Sequence, residues 1–162
     1  MVILAFLEKG IWLGCAALGF GMLFNVPKRA LFSIFLIGAL GGLMKFFMME
    51  FEIGIVLSTL CGATLIGFLS VFAAYNRNCP PITFSIPAVI PMIPGLYAYK
   101  SMIGFIALTS EKDPIAYARV FFEALNNGLT AFFVLMVLAT GVAVPLLVTR
   151  KTTVKRINEV SE

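Results

Sequence analysis

The chain has 162 residues, 60% of them hydrophobic, a mean hydropathy of +1.02 and a formal net charge of +4. Soluble domains are only roughly 45–50% apolar, so this composition excludes one and reads as an integral membrane protein with a single domain. With no histidine, imidazole metal ligation, His-based acid/base catalysis and a His proton relay are also excluded.

The N-terminus lacks the basic region of a signal peptide, and the apolar run behind it is expected to be retained as a first span over about 2–24. Gly10, Gly14, Ala17 and Gly21 fall on one face of that helix, where small residues let a neighbouring backbone come close. Asn25-Val26-Pro27-Lys28-Arg29 then makes a short loop with a basic flank. The second span, about 30–48, carries Gly38 and Gly42 in GxxxG spacing, with Lys45 placed to snorkel from its end and Glu50 and Glu52 at its exit. A third span, about 53–74, repeats the theme in Ser58/Gly62 and Ala63/Gly67. The stretch from Tyr75 to Pro81 reads as a loop, because paired prolines disfavour helix just before them.

The fourth segment, 82–108, is the one around which the rest is organised. Pro87, Pro91 and Pro94 followed by Gly95 form a PxxxPxxPG motif inside an apolar run. Each internal proline costs roughly 3 kcal/mol or more, and in lipid the freed backbone groups find no water. At 1.5 Å per residue the segment reaches roughly 40 Å, longer than the roughly 30 Å hydrocarbon core, so it accommodates a break. Broken helices at membrane depth are tolerated where they are buried in protein or line a wet cavity, and transporters use the freed helix ends to hold substrate. The helix that restarts after Gly95 is expected to offer unpaired N–H groups and a positive dipole end to an anion. Beyond it Tyr97, Lys100, Ser101 and Gly104 share one polar face, with Tyr99 beside them. Lys100 has two readings: a substrate-binding cation inside a hydrophobic segment, or a snorkelling side chain that meets a partner's carboxylate.

Ser110-Glu111-Lys112-Asp113-Pro114 is a helix start, with Asp113 suited to the N-cap and Pro114 to the first helical position. An amphipathic, interfacial stretch is expected before the last span, about 125–148. Glu123, Asn127 and Thr130 share a face of that helix; Asn127 is either interhelical glue or a substrate contact, and Glu123 reads as a solvated carboxylate at the outer interface. Residues 1–149 thus form a transmembrane domain of about five helices in an all-α fold, and 150–162 a basic tail. A cytoplasmic tail places Lys28, Arg29 and Arg77 inside, Glu50, Glu52, Glu111 and Asp113 outside, and the N-terminus in the periplasm. Cys15, Cys61 and Cys79 have neither metal-ligand nor CxxC spacing and read as small apolar residues. No catalytic set, phosphate-binding loop or metal cluster is present, so neither an enzyme, a metal nor a cofactor is expected. The positive charge, clustered at the membrane edge, is not a nucleic-acid signature.

Three stretches carry a resemblance: Gly19 to Leu31, the run from Pro87 through Pro91 and Pro94 to Gly95 with Tyr99 and Met102 beyond it, and Asn127, Leu129, Thr130 and Ala131. On these residues the chain resembles the threonine/serine exporter family, and within it the short, split-type (YjjB-like) subunits that correspond to the C-terminal half of the fused form. The resemblance implies a multi-pass protein of the bacterial inner membrane and export of small carboxylates, either threonine and serine or a succinate-like dicarboxylate. It implies a YjjP-like partner subunit in a homo- or hetero-oligomer. Pro91, Pro94, Gly95, Tyr97, Tyr99, Lys100, Ser101, Asn127 and Thr130 are then expected at the substrate path, with Asn25, Pro27 and Pro87 shaping the fold. A competing reading is a structural or regulatory membrane subunit without transport of its own, but such a subunit has no evident use for three prolines at mid-membrane.

Overall fold

The computed structural model describes residues 2–77 and 79–160, with side chains described over 6–77 and 79–149. Every regular element among the described residues is helical: α1 (Val2–Leu23), α2 (Lys28–Glu50), α3 (Ile55–Arg77), α4 (Ile82–Val89), a 3-10 turn (Ile90–Met92), α5 (Gly95–Leu108) and α6 (Pro114–Val160). Four of these helices are long and apolar enough to cross a membrane, and the broken pair of α4 with its 3-10 turn and α5 makes a fifth if counted as one span.

Two compact units divide the chain. The first comprises Met1–Met92 and Val137–Glu162, the second Ile93–Met136. In the first unit α2 is central, packing on α1, α3 and α4. The small-residue faces are what permit this. A Cβ at Gly10 would meet the Leu43 side chain at 2.8 Å, one at Gly38 would meet the Ala17 Cβ at 2.5 Å, and one at Gly14 would meet Phe35 at 2.8 Å. The GxxxG face of α2 and the glycine face of α1 therefore pack against each other within the chain. On the other side of α2, Gly41 and Gly62 bring the α2 and α3 backbones together: a Cβ at Gly62 would stand 2.7 Å from the Gly41 carbonyl oxygen. The C-terminal part of α6 closes on α3 the same way, with Gly141 against Ala63 and Gly67 against Pro145. Phe84, Ile34 and Ile66 are the largest apolar side chains in the fully buried centre.

α1 ends in a Schellman motif. Asn25 adopts φ 55°, its N–H donates to the Met22 carbonyl at 3.0 Å, and the Val26 N–H donates to the Gly21 carbonyl at 3.0 Å. Pro27 next prevents continuation and precedes α2, whose first residue is Lys28. Asparagine tolerates the left-handed region where a β-branched residue does not, so Asn25→Val is expected to lower stability by about 1–2 kcal/mol, whereas Asn25→Gly should leave it unchanged or higher. Heating the purified variants in detergent and following the fraction that stays folded measures the difference.

Several boundaries differ from the sequence reading. α3 runs through Tyr75 to Arg77 instead of ending near Ala74, because Pro80 constrains the residue just before it and not those three or more earlier. Pro80 and Pro81 then start α4, their carbonyls accepting from the Thr83 and Ser85 N–H groups at 3.0 and 3.1 Å. Pro87 lies inside α4 and does not break it. α6 is one helix of 47 residues, about 70 Å long at 1.5 Å per residue, so the interfacial stretch, the last span and the backbone of the tail up to Val160 are continuous. The tail's charged side chains from Arg150 onward lie outside the described ones.

Candidate functional site

The fourth segment is broken as its prolines require, and the break is confined to Ile93 and Pro94. The 3-10 turn holds Pro91, half-buried, and ends at the buried Met92. Pro94 is buried, with φ −82° and ψ 56°, an inverse γ-turn geometry in which the Gly95 N–H donates to the Ile93 carbonyl at 2.9 Å. The Tyr97 and Ala98 N–H groups both donate to the Pro94 carbonyl at 3.1 and 3.2 Å. Of the four donors expected to await an anion at the start of α5, three are therefore paired, and the Leu96 N–H alone lacks an acceptor among the described residues. Gly95 has no positive φ, and a Cβ there would meet nothing within 4 Å. Its open surroundings, not a backbone need, distinguish the position.

At the other end of the break stands Lys45, which the sequence places as a snorkelling side chain at the end of the second span. Lys45, half-buried on α2, does not turn out to the interface; its Nζ donates to the Met92 carbonyl at 3.4 Å. The last carbonyls of a helix carry partial negative charge and no intrahelical donor, so a cation fits there. The signal in the sequence is a lysine several residues short of its helix end, but its partner lies 47 positions away and is fixed by folding alone.

Within the second unit, α5 packs on the N-terminal part of α6 through small residues. A Cβ at Gly104 would meet the Ala124 Cβ at 2.6 Å, and one at Gly128 would meet the Ser101 Oγ at 2.8 Å. Beside this seam lies a cleft of about 520 Å³. Tyr99, Lys100, Glu123, Asn126 and Asn127 supply its polar groups, and Ile103, Ala107 and Val120 are among its apolar walls. Lys100 and Glu123 are exposed, and Glu123 accepts from the Arg119 Nε at 3.4 Å in an open i,i+4 pair. The Asn127 Nδ2 donates to the Glu123 backbone carbonyl at 2.9 Å, which leaves its Oδ1 for another donor. An opening with one ammonium, one carboxylate and two amides over an apolar floor suits a small polar molecule bearing charge.

The structure thus brings together Tyr99, Lys100 and Asn127 of the expected site residues and adds Glu123 and Asn126 to them. It does not bring in the rest. Ser101 is buried against Gly128, Tyr97 is half-buried outside the lining, and the Thr130 Oγ1 donates to the Asn126 carbonyl at 2.9 Å. Pro91, Pro94 and Gly95 shape the start of α5 and do not line the cleft. Among the structural residues, Asn25 and Pro27 border a separate opening of about 380 Å³ with Thr83, Ile86 and Pro87.

Comparison with known proteins bears on the family. The family profile described as "Threonine/Serine exporter, ThrE" matches residues 9–148. An uncharacterized protein of Haemophilus influenzae is 32% identical over 130 residues, which is 80% of this chain and 42% of that protein, so the chain corresponds to less than half of this longer relative. No solved structure matches the chain. With most of its length covered by that one profile, the chain belongs to the threonine/serine exporter family.

Proposed function

We propose that the chain is one subunit of a secondary exporter of small carboxylates in the bacterial inner membrane, and that the cleft beside α5 is where substrate binds. The observation that carries this reading is the lining: Lys100 as the one cation among the cleft residues, facing the same space as Glu123, Asn126 and Asn127. Threonine and serine match it group by group. The ammonium of Lys100 meets the substrate carboxylate, the Glu123 carboxylate meets the substrate ammonium, and an asparagine amide meets the hydroxyl. A succinate-like dicarboxylate is the second reading, favoured by one observation: Glu123 is already paired with Arg119, which leaves Lys100 as the uncompensated charge. Glu123→Gln separates the two, and uptake of labelled substrate into inverted vesicles measures it. Transport of threonine or serine should fall about tenfold if Glu123 holds the ammonium, while transport of a dicarboxylate should hold or rise.

A YjjP-like second subunit supplies the other half of the path in this proposal. Two halves with an odd number of spans each have opposite orientations when joined, and inverted halves are a common transporter plan. The orientation proposed is N-terminus periplasmic and C-terminus cytoplasmic. It is supported by the Arg29 Nη2 lying 3.8 Å from the Cys79 Sγ, which puts the two basic loops at one end of the first unit, while Glu50 and Glu52 terminate α2 at the other.

A further inference from the structure

The first unit carries a groove of about 550 Å³ between α2 and α3 that the transport reading does not use. Leu36, Leu40, Leu69 and Phe72 wall it, and Leu36, Leu40 and Phe72 are 42%, 47% and 69% exposed. One end alone is charged: Asn76 and Arg77 border it there. Arg77 is the last residue of α3, so its guanidinium sits where the helix leaves the membrane, and the apolar wall runs back from it to Leu69, about 12 Å at 1.5 Å per residue. No carboxylate pairs with Arg77 among the described residues. Lys28 and Arg29, at the start of α2, add positive charge at the same end of the unit.

An apolar slot that opens to lipid along its length and ends in an arginine at the interface has the chemistry of one amphiphile. We infer that the α2–α3 groove holds an acyl chain of an anionic phospholipid, with the phosphate on the Arg77 guanidinium and the Asn76 amide donating to it. A guanidinium offers a phosphate two parallel N–H donors, and basic sites between transmembrane helices are where anionic headgroups bind. A second protein chain seated in the groove would cover the leucines but leave Arg77 unmatched unless it brought its own carboxylate to that point.

The test is native mass spectrometry of the full-length chain, extracted in mild detergent and given dioleoyl phosphatidylglycerol and dioleoyl phosphatidylcholine in equal amounts. Retention of phosphatidylglycerol should exceed that of phosphatidylcholine by about fivefold, the equivalent of the roughly 1 kcal/mol that a basic residue contributes at an anionic surface. Arg77→Ala should reduce the ratio to near one, Arg77→Lys should restore part of it, and Leu36→Trp, which fills the slot, should release both lipids. Lys112→Ala, in a loop of the other unit, should change nothing. Equal retention of the two lipids by the unaltered chain, or an unchanged ratio in Arg77→Ala, would overturn the assignment. So would efficient cross-linking of two chains in the membrane through Leu40→Cys in a background otherwise free of cysteine, since the groove would then be a subunit seat.

Discussion

Lys100→Ala is expected to lower export by about tenfold or more while the protein still inserts and accumulates normally. Lys100 is exposed in the cleft, and no acceptor for its ammonium is fixed among the described residues, so its removal leaves no buried partner stranded. The loss falls on binding. A hydrogen bond to a charged group is worth roughly 1.5–3 kcal/mol, and about 1.4 kcal/mol already corresponds to tenfold. Lys100→Arg keeps the charge on a longer fork and should recover part of the rate, which a merely structural lysine would not require. Initial rates over a range of substrate concentrations, normalised to protein in the membrane, measure both variants. Unaltered rates in Lys100→Ala would place the binding site elsewhere.

The largest effect on stability is expected at Gly62. A Cβ there would stand 2.7 Å from the Gly41 carbonyl oxygen and 2.7 Å from the Met92 Cε, and the first of these is backbone that cannot rotate away. Gly62→Leu must therefore part α2 from α3, and with them the contact that seats the end of the 3-10 turn. Overpacking of a close interface costs typically 1–3 kcal/mol and occasionally more; here about 3 kcal/mol is expected. Gly19→Leu is the matched control, since a Cβ at Gly19 meets nothing within 4 Å. The temperature at which half of each purified variant aggregates should drop for Gly62→Leu and stay near the unaltered value for Gly19→Leu.

What the sequence reveals here follows from which physics is local. Small residues three and four apart must share a helix face, so the Gly10/Gly14 and Gly38/Gly42 stripes were readable as packing surfaces, although not that they would meet each other. Proline chemistry likewise announces a broken fourth segment, but Pro87, the sixth residue of α4, forfeits a backbone donor to the turn before it without ending the helix. The break falls at Ile93 and Pro94, where the γ-turn ends one helix and starts the next. The site was legible only in part. Lys100 and Asn127 stand out because polar groups are costly inside apolar segments. Glu123 was read as an interfacial carboxylate because its place beside Lys100 depends on how α6 folds back on α5, and Ser101 shares a sequence period with Lys100 yet faces the small residues of α6. The inward turn of Lys45, expected to snorkel, is illegible for the same reason: its partner is a backbone carbonyl, which no pattern of side chains records.

Counterflow in proteoliposomes tests the central claim most directly. Vesicles holding the chain and the proposed YjjP-like subunit, loaded with unlabelled threonine, serine or succinate, are diluted into a trace of the same labelled compound. The account predicts transient accumulation of label with at least one of these carboxylates, dependent on this chain and reduced about tenfold by Lys100→Ala. Equal accumulation with the partner subunit alone, or with Lys100→Ala at the unaltered rate, would contradict it.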